Sequence, residues 1–218
     1  MKETGIIFSS FSSDMVRAIL EGRKTQTRRT RGLEKINGDP DRWLKAIPVS
    51  HTNLWRFEGK DGDLLIVKCP FGQVGDRLWV KETWALRKDS QQTMTKSEYE
   101  RISAALDLPK INIKWKSPLF MPRSESRIIL PITGIRAERL WQTTEEDAKA
   151  EGVTTLPWWD GEHTLSQESV TSPNFPSCYR NGFANLWDSL NAKRGYPWES
   201  NPWVWRIEFN TLTGPVKV

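Results

Sequence analysis

The apolar segments of this chain are short and interrupted. Leu64-Leu65-Ile66-Val67 runs into Pro70-Phe71-Gly72, Gly75-Asp76 turns into Arg77-Leu78-Trp79-Val80, and Ile128-Ile129-Leu130 meets Pro131. Runs of three to five β-prone residues bounded by turn formers build short strands, and none approaches the roughly 20 apolar residues that cross a bilayer as a helix. Between these strands lie isolated stretches with helical spacing. Short strands mixed with single helices point to an α+β architecture organised around a small barrel.

Read in order, the first helix covers Asp14–Glu21, capped by Ser12 or Ser13, with Met15, Val16, Ile19 and Leu20 as its apolar face. Gly22 stands where a left-handed residue ends a helix, so Arg23 to Arg31 leave it as a turn or extended segment. Residues 32–62 are rich in Gly, Asp, Asn and Pro, and Lys60-Asp61-Gly62-Asp63 is a hairpin-turn signal. Residues 85–125 read as an insertion with one helix near Ser97–Leu106. Pro131 argues for an edge strand or a bulge. Thr143 and Glu146 are spaced as a capping box for a second helix, which Gly152 ends. A Pro/Ser/Trp-rich loop spans 154–178, a helix follows at Phe183–Leu190, and Trp203–Phe209 reads as a closing strand. The whole chain, 1–218, is read as one domain with insertions at 85–125 and 154–178.

The charge pattern narrows the partner. The net charge is +5, and Arg23, Lys24, Arg28, Arg29 and Arg31 fall in a stretch without an acidic residue, which favours a polyanion. Threonines and the nearby glycine make this run suit the lining of a site better than a solvated helix face. Cys69 and Cys178 lie far apart, outside any CxxC pair, and only His51 and His163 could join them. Metal-ligand spacing is therefore missing, and two buried thiols in a reducing, cytoplasmic compartment are expected, with no metal or cofactor. The N-terminus lacks the long apolar segment of a signal peptide. Twelve tryptophans are many for this length. Trp79 and Trp205 are assigned to the core by alternation, and Trp158-Trp159 to a cover or a stacking surface.

These segments resemble a known family. Gly22-Arg23-Lys24-Thr25-Gln26-Thr27-Arg28-Arg29, following a short amphipathic helix, is similar to the signature of ASCH domains. Gly75-Asp76-Arg77-Leu78-Trp79-Val80 and Trp203-Val204-Trp205-Arg206-Ile207-Glu208-Phe209 resemble the family's strand entry and last strand. Pro70-Phe71-Gly72 and Lys81-Glu82-Thr83-Trp84 resemble its longer phage and prophage members. The resemblance implies a PUA-like β-barrel with flanking helices, related to modules that bind RNA or modified bases. Small bacterial members are N4-acetylcytidine amidohydrolases that use a lysine, a threonine and a glutamate. Carried over by position, these fall on Lys24, Thr27 and Glu151.

That implied site has a definable chemistry. Amide hydrolysis needs a nucleophile, a base and stabilisation of an oxyanion. Thr27 would attack or hold a water, and Lys24 would be the base, its pKa lowered by burial and by Arg23, Arg28 and Arg29. Glu151 would orient Lys24 or pass a proton to the leaving amine. Gly22, Arg23, Arg28, Arg29, Glu82 and Trp84 are the expected binding residues, with Arg28 and Arg29 on phosphate or oxyanion. Lys24 and Thr27 share a face in a helical turn but oppose each other on a strand. The readings are an amidohydrolase for an acylated nucleoside, a non-catalytic module for RNA or a modified base, and a ribonuclease. The last is disfavoured because neither histidine lies in the signature.

Overall fold

The protein is seen in a computed structural model that describes residues 1–8, 14–86, 93–107, 113–153 and 178–213. The elements in chain order are β1 (Glu3–Ile7), α1 (Asp14–Leu20), β2 (Gln26–Arg29), α2 (Glu34–Asn37), β3 (Trp43–Pro48), β4 (Leu54–Gly59), β5 (Leu64–Lys68) and β6 (Arg77–Lys81). They continue with β7 (Trp84–Leu86), β8 (Thr93–Thr95), α3 (Lys96–Ala105), β9 (Ile128–Arg139), α4 (Glu145–Ala150), α5 (Cys178–Asn191), β10 (Trp203–Phe209) and β11 (Leu212–Thr213). A curled six-stranded sheet runs β1-β6-β9-β10-β2, with β11 also on β9. Only the β1–β6 pair is parallel. The α+β expectation holds, as a half-barrel with helices against it.

Twelve-residue β9 makes the curl. It pairs with β6 through Ile129–Pro131 and with β10 through Ile132–Arg139. The handover falls at Pro131, which has no N–H to give a ladder, and the β10 register shifts between Glu208 and Phe209, opposite Ile132 and Gly134. The irregularity thus skips Thr133, two residues beyond Pro131, and the strand is interior and not an edge. A proline is tolerated there because the strand is changing partners.

β10 stands between two apolar clusters. Trp203, Trp205, Ile207 and Phe209 alternate into the main core, while Val204 joins Leu140, Ala148, Val153, Phe183 and Trp187 beneath α5. The antiparallel sheet β3-β4-β5 closes the main core with aromatic edges. Trp55 meets Trp205 at 5.6 Å between ring centroids, and Phe57 meets Trp203 at 5.2 Å. β3 and β4 both come from the turn-rich 32–62 segment. Asp61 and Gly62 both take positive φ, 60° and 80°, in the turn joining β4 to β5, where Lys60-Asp61-Gly62-Asp63 signals a hairpin.

Both helix-ending glycines are left-handed, Gly22 at φ 73° and Gly152 at φ 79°. The capping box of α4 sits one residue later than the sequence suggested, on Thr144 and Asp147. The Thr143 hydroxyl instead donates to the Leu140 carbonyl at 2.6 Å, leaving Thr144 to accept from the backbone N–H of Asp147. Helix α3 lies one residue earlier than expected, α5 is longer than Phe183–Leu190, and β10 matches its expected bounds. Of the core assignments, Trp205 is buried and Trp79 half-buried beneath the Lys81 ammonium, 5.0 Å from its ring. Ser12, Ser13, Trp158, Trp159 and His163 lie outside the described residues. No helix among the described residues is long and apolar enough to cross a membrane.

Phe57 is fully buried, whereas Leu64 on the outer face of β5 is 66% exposed. Phe57→Ala is therefore expected to lower unfolding free energy by about 3–5 kcal/mol in urea titrations. Leu64→Ser should change it by no more than about 0.5 kcal/mol.

Candidate active site

β2 is an edge strand of the main sheet, and the chain just before it is pinned on both sides. The Lys24 N–H donates to the Ala18 carbonyl and the Thr25 N–H to the Ala150 carbonyl, at 3.0 and 2.9 Å. An isolated antiparallel bridge joins Lys24 to Glu151. Gly152 makes the close approach possible. A Cβ there would stand 2.8 Å from Lys24 Cβ and 3.0 Å from Ala18 Cβ, nearer than side-chain carbons pack. The loops after α1 and α4 thus bring the ammonium and the carboxylate together.

Lys24 and Glu151 are each 3% exposed. Lys24 Nζ donates to Glu151 Oε2 at 2.7 Å and to the Glu151 carbonyl at 2.6 Å. The other carboxylate oxygen accepts from Arg28 Nη1 at 3.2 Å. Arg28 is wholly enclosed: its Nε and Nη2 donate to Glu138 Oε1 at 3.0 and 2.8 Å, and Nη2 also to Asp147 Oδ2 at 3.0 Å. Asp147 Oδ1 pairs with Arg206 Nη2 at 2.8 Å, and Glu138 Oε2 with Arg136 Nε at 2.7 Å. Three cations, Lys24, Arg28 and Arg206, are interleaved with three carboxylates, Glu138, Asp147 and Glu151. Buried charges persist only when paired in this way.

A cavity of about 40 Å³ lies over the free edge of β2. Lys24, Thr27, Arg28, Arg29 and Glu151 form one side, Phe8 and Met15 another, and Phe183, Leu186, Trp187, Leu190 and Asn191 of α5 close it. Because the cavity wraps an edge and Lys24 precedes the strand, strand alternation does not separate Lys24 from Thr27. Thr27 is 2% exposed, and among the described residues no hydrogen bond occupies its hydroxyl. The volume has room for a few waters, well below the roughly 300–1,000 Å³ of a pocket that swallows a small-molecule ligand.

Burial pushes the Lys24 pKa down, more strongly than the Glu151 carboxylate pulls it up, and Arg29 and Arg28 add to the depression. Between the depressed value and the ordinary lysine value near ~10.4, the unfolded chain holds a proton that the folded chain lacks. The stability contribution of this group accordingly falls as pH drops through that window. Arg29 is half-buried, donates to the Ile7 carbonyl at 2.8 Å and lies over Phe8 at 5.3 Å. Cys69 is buried, and desolvation raises its thiol to about 11, which makes it a poor nucleophile.

The other expected binding residues are dispersed. Gly22 and Arg23 lie outside the cavity, with Arg23 paired to Glu21 at 2.6 Å. Arg28 lines the cavity, but its guanidinium is engaged by three carboxylates and is not a free phosphate ligand. Glu82 is buried against Arg127, with both oxygens at 3.0 Å, and against Ser97. Trp84 is buried under the Lys116 ammonium, 4.6 Å from its ring, on the segment that forms the β7–β8 hairpin. Both help anchor the 85–125 region and do not reach the Lys24 cavity. Sequence reasoning missed Glu138, Asp147 and Arg206. Their signal was a charged residue on the helix-facing side of a strand or first helical turn, readable only once β2, β9, β10 and α4 are known to converge. Among the described residues no group of three His, Cys, Asp or Glu side chains is placed to hold a metal.

Neither protein-family profiles nor curated protein sequences match this chain. Among solved structures, an ASCH domain from Lactobacillus crispatus JV V101 is similar at a TM-score of 0.39 and 13% sequence identity, over 96% of this chain and 79% of that one.

Arg28→Met would leave Glu138, Asp147 and Glu151 short of their shared partner. It should cost about 3–5 kcal/mol of stability. Urea titrations of the variant beside the unaltered chain read that loss.

Proposed function

We propose that this chain is an ASCH-type, PUA-like amidohydrolase that acts in the cytoplasm on an acylated, N4-acetylcytidine-like nucleoside. The observation that carries the reading is the buried Lys24–Glu151 pair, 2.7 Å apart, beside Thr27, whose hydroxyl has no partner among the described residues. Those residue types at those positions are the ones the resemblance to the family implies.

Lys24 must be neutral to act as a base, and burial favours its neutral form. It would take a proton from Thr27 Oγ1, or from a water held in the cavity, as oxygen adds to the acyl carbon. The resulting ammonium stands beside the negative oxygen of the tetrahedral intermediate and opposes its charge. On collapse, the C–N bond breaks and the exocyclic amine receives the proton from Lys24. Direct attack by water ends the cycle here; an acyl-threonine needs one further water to release the acid. Glu151 fixes the lysine between its carbonyl and its carboxylate and acts as a positioning residue. No histidine lines the cavity among the described residues.

The small cavity favours a second reading, a module that binds RNA or a modified base without turnover. One assay separates the two. Incubation with N4-acetylcytidine should release cytidine, and Lys24→Ala and Thr27→Ala should each lower kcat/KM by about 100-fold or more. The rate should rise with pH along a limb centred below the ordinary lysine value near ~10.4. No turnover by a protein that retains nucleic-acid affinity would leave the binding module. Undiminished turnover in both variants would remove the site assignment.

A further inference from the structure

Most of the positive charge around the cavity is neutralised internally. Lys24 answers Glu151, Arg28 answers three carboxylates, and Arg206 answers Asp147 and Glu208. Arg29 does not follow this pattern. It lines the cavity, is half-buried, and among the described residues pairs with no carboxylate; its single hydrogen bond goes to the Ile7 carbonyl through Nη2. A guanidinium stays charged even where burial opposes it, so this wall carries a surplus positive charge, and among the described residues only Nη2 has an acceptor.

A second guanidinium reinforces it. Asn191 lines the same cavity and begins the short turn Ala192–Arg194, which ends at the left-handed Gly195. That turn carries Arg194 three residues beyond the cavity lining, close enough for its charge to act on Arg29. Arg194 is exposed, has no hydrogen bond or ion pair among the described residues, and its charge acts unfavourably on Arg29. Glu151 attracts the Arg29 guanidinium and Arg194 repels it, but Glu151 is already shared between Lys24 and Arg28, so positive charge stays in excess on this wall. An anion carrying two or three acceptor oxygens relieves that repulsion and meets the planar donor forks of both side chains.

We infer that Arg29 and Arg194 form a phosphate site at the rim of the Lys24 cavity, so that the ligand is a nucleotide or a nucleic-acid strand and not a free nucleoside. The inference rests on the proposed function only in placing a nucleoside base toward Lys24; the anion site follows from two guanidinium groups that form no ion pair among the described residues. It also accommodates the cavity's volume. A phosphate held at the rim leaves the sugar outside, and only the reacting group approaches Thr27 and Lys24.

The test is binding, followed by calorimetry or by fluorescence of the cavity tryptophan Trp187. The probes are cytidine, cytidine 5′-monophosphate and a short oligocytidylate. Cytidine 5′-monophosphate or the oligonucleotide should bind about tenfold or more tightly than cytidine. A preference for the monophosphate marks a terminal phosphate site; a preference for the oligonucleotide marks a site for a strand's phosphodiester. Either result supports the inference. Arg194→Gln, at an exposed position that folding does not need, should abolish most of the preference, and Arg29→Lys should reduce it while keeping a charge. Lys24→Ala should keep the preference, which separates this site from the hydrolytic reading. A phosphate preference in a protein that never releases cytidine from N4-acetylcytidine would overturn hydrolysis and leave the phosphate site standing. Equal affinity for all three probes, no binding of any, or an unaltered preference in Arg194→Gln would overturn the inference.

Discussion

The arrangement depends on one enclosed guanidinium. Arg28 has no solvent-exposed side-chain surface, and its donors reach Glu138 on β9, Asp147 on α4 and Glu151 at the end of α4. Removing those charges from water is costly, and the Coulombic return is adequate only if each has a partner. Completeness is therefore the constraint. Glu151 must accept from both Arg28 and Lys24, and Asp147 from both Arg28 and Arg206. Meeting those demands fixes the edge of β2 against α4, which in turn sets the positions of Lys24 and Thr27.

Helix α5 completes the enclosure. Its first backbone N–H groups, on Tyr179 and Arg180, donate to the two oxygens of Glu145 at 2.7 and 3.0 Å, so α4 supplies the cap that α5 needs. Phe183 then packs with Leu140, Ala148 and Val204 while its ring lies 5.7 Å from the Arg28 guanidinium. The same apolar wall that excludes water from the ion network also lowers the dielectric around Lys24. Stability and chemistry share a cause here. Desolvation that makes Lys24 a costly residue to fold also favours the unprotonated amine that a base requires.

Much of this was legible in the sequence because it followed from local rules. Gly22 and Gly152 end their helices because each must be left-handed, and the alternation of Trp203–Phe209 needs only a period of two. The grouping of Lys24, Thr27 and Glu151 came from motif positions, and the coordinates bring those three to one cavity. What escaped was non-local. β3 and β4 lie in turn-rich sequence and are strands because Trp55 and Phe57 pack on Trp205 and Trp203. Glu82 and Trp84, grouped with the site by their motif, face Arg127 and Lys116. The capping box slipped by one residue because Thr143 bonds to Leu140. Arg28 and Arg29, adjacent in sequence, have opposite fates: strand alternation turns one toward the carboxylates on α4 and leaves the other at the rim.

The claim that enclosure makes Lys24 a base can be tested without substrate. Lysine carrying an isotopic label at its ε-carbon and Nζ, with the Lys24 resonance assigned through Lys24→Arg, permits a direct NMR titration of this amine. The account predicts a midpoint for Lys24 clearly below those of the surface lysines, which should titrate near ~10.4. A midpoint at or above the surface value would mean that the Glu151 carboxylate outweighs burial. Lys24 would then be a permanently charged strut of the ion network, with no capacity to accept a proton.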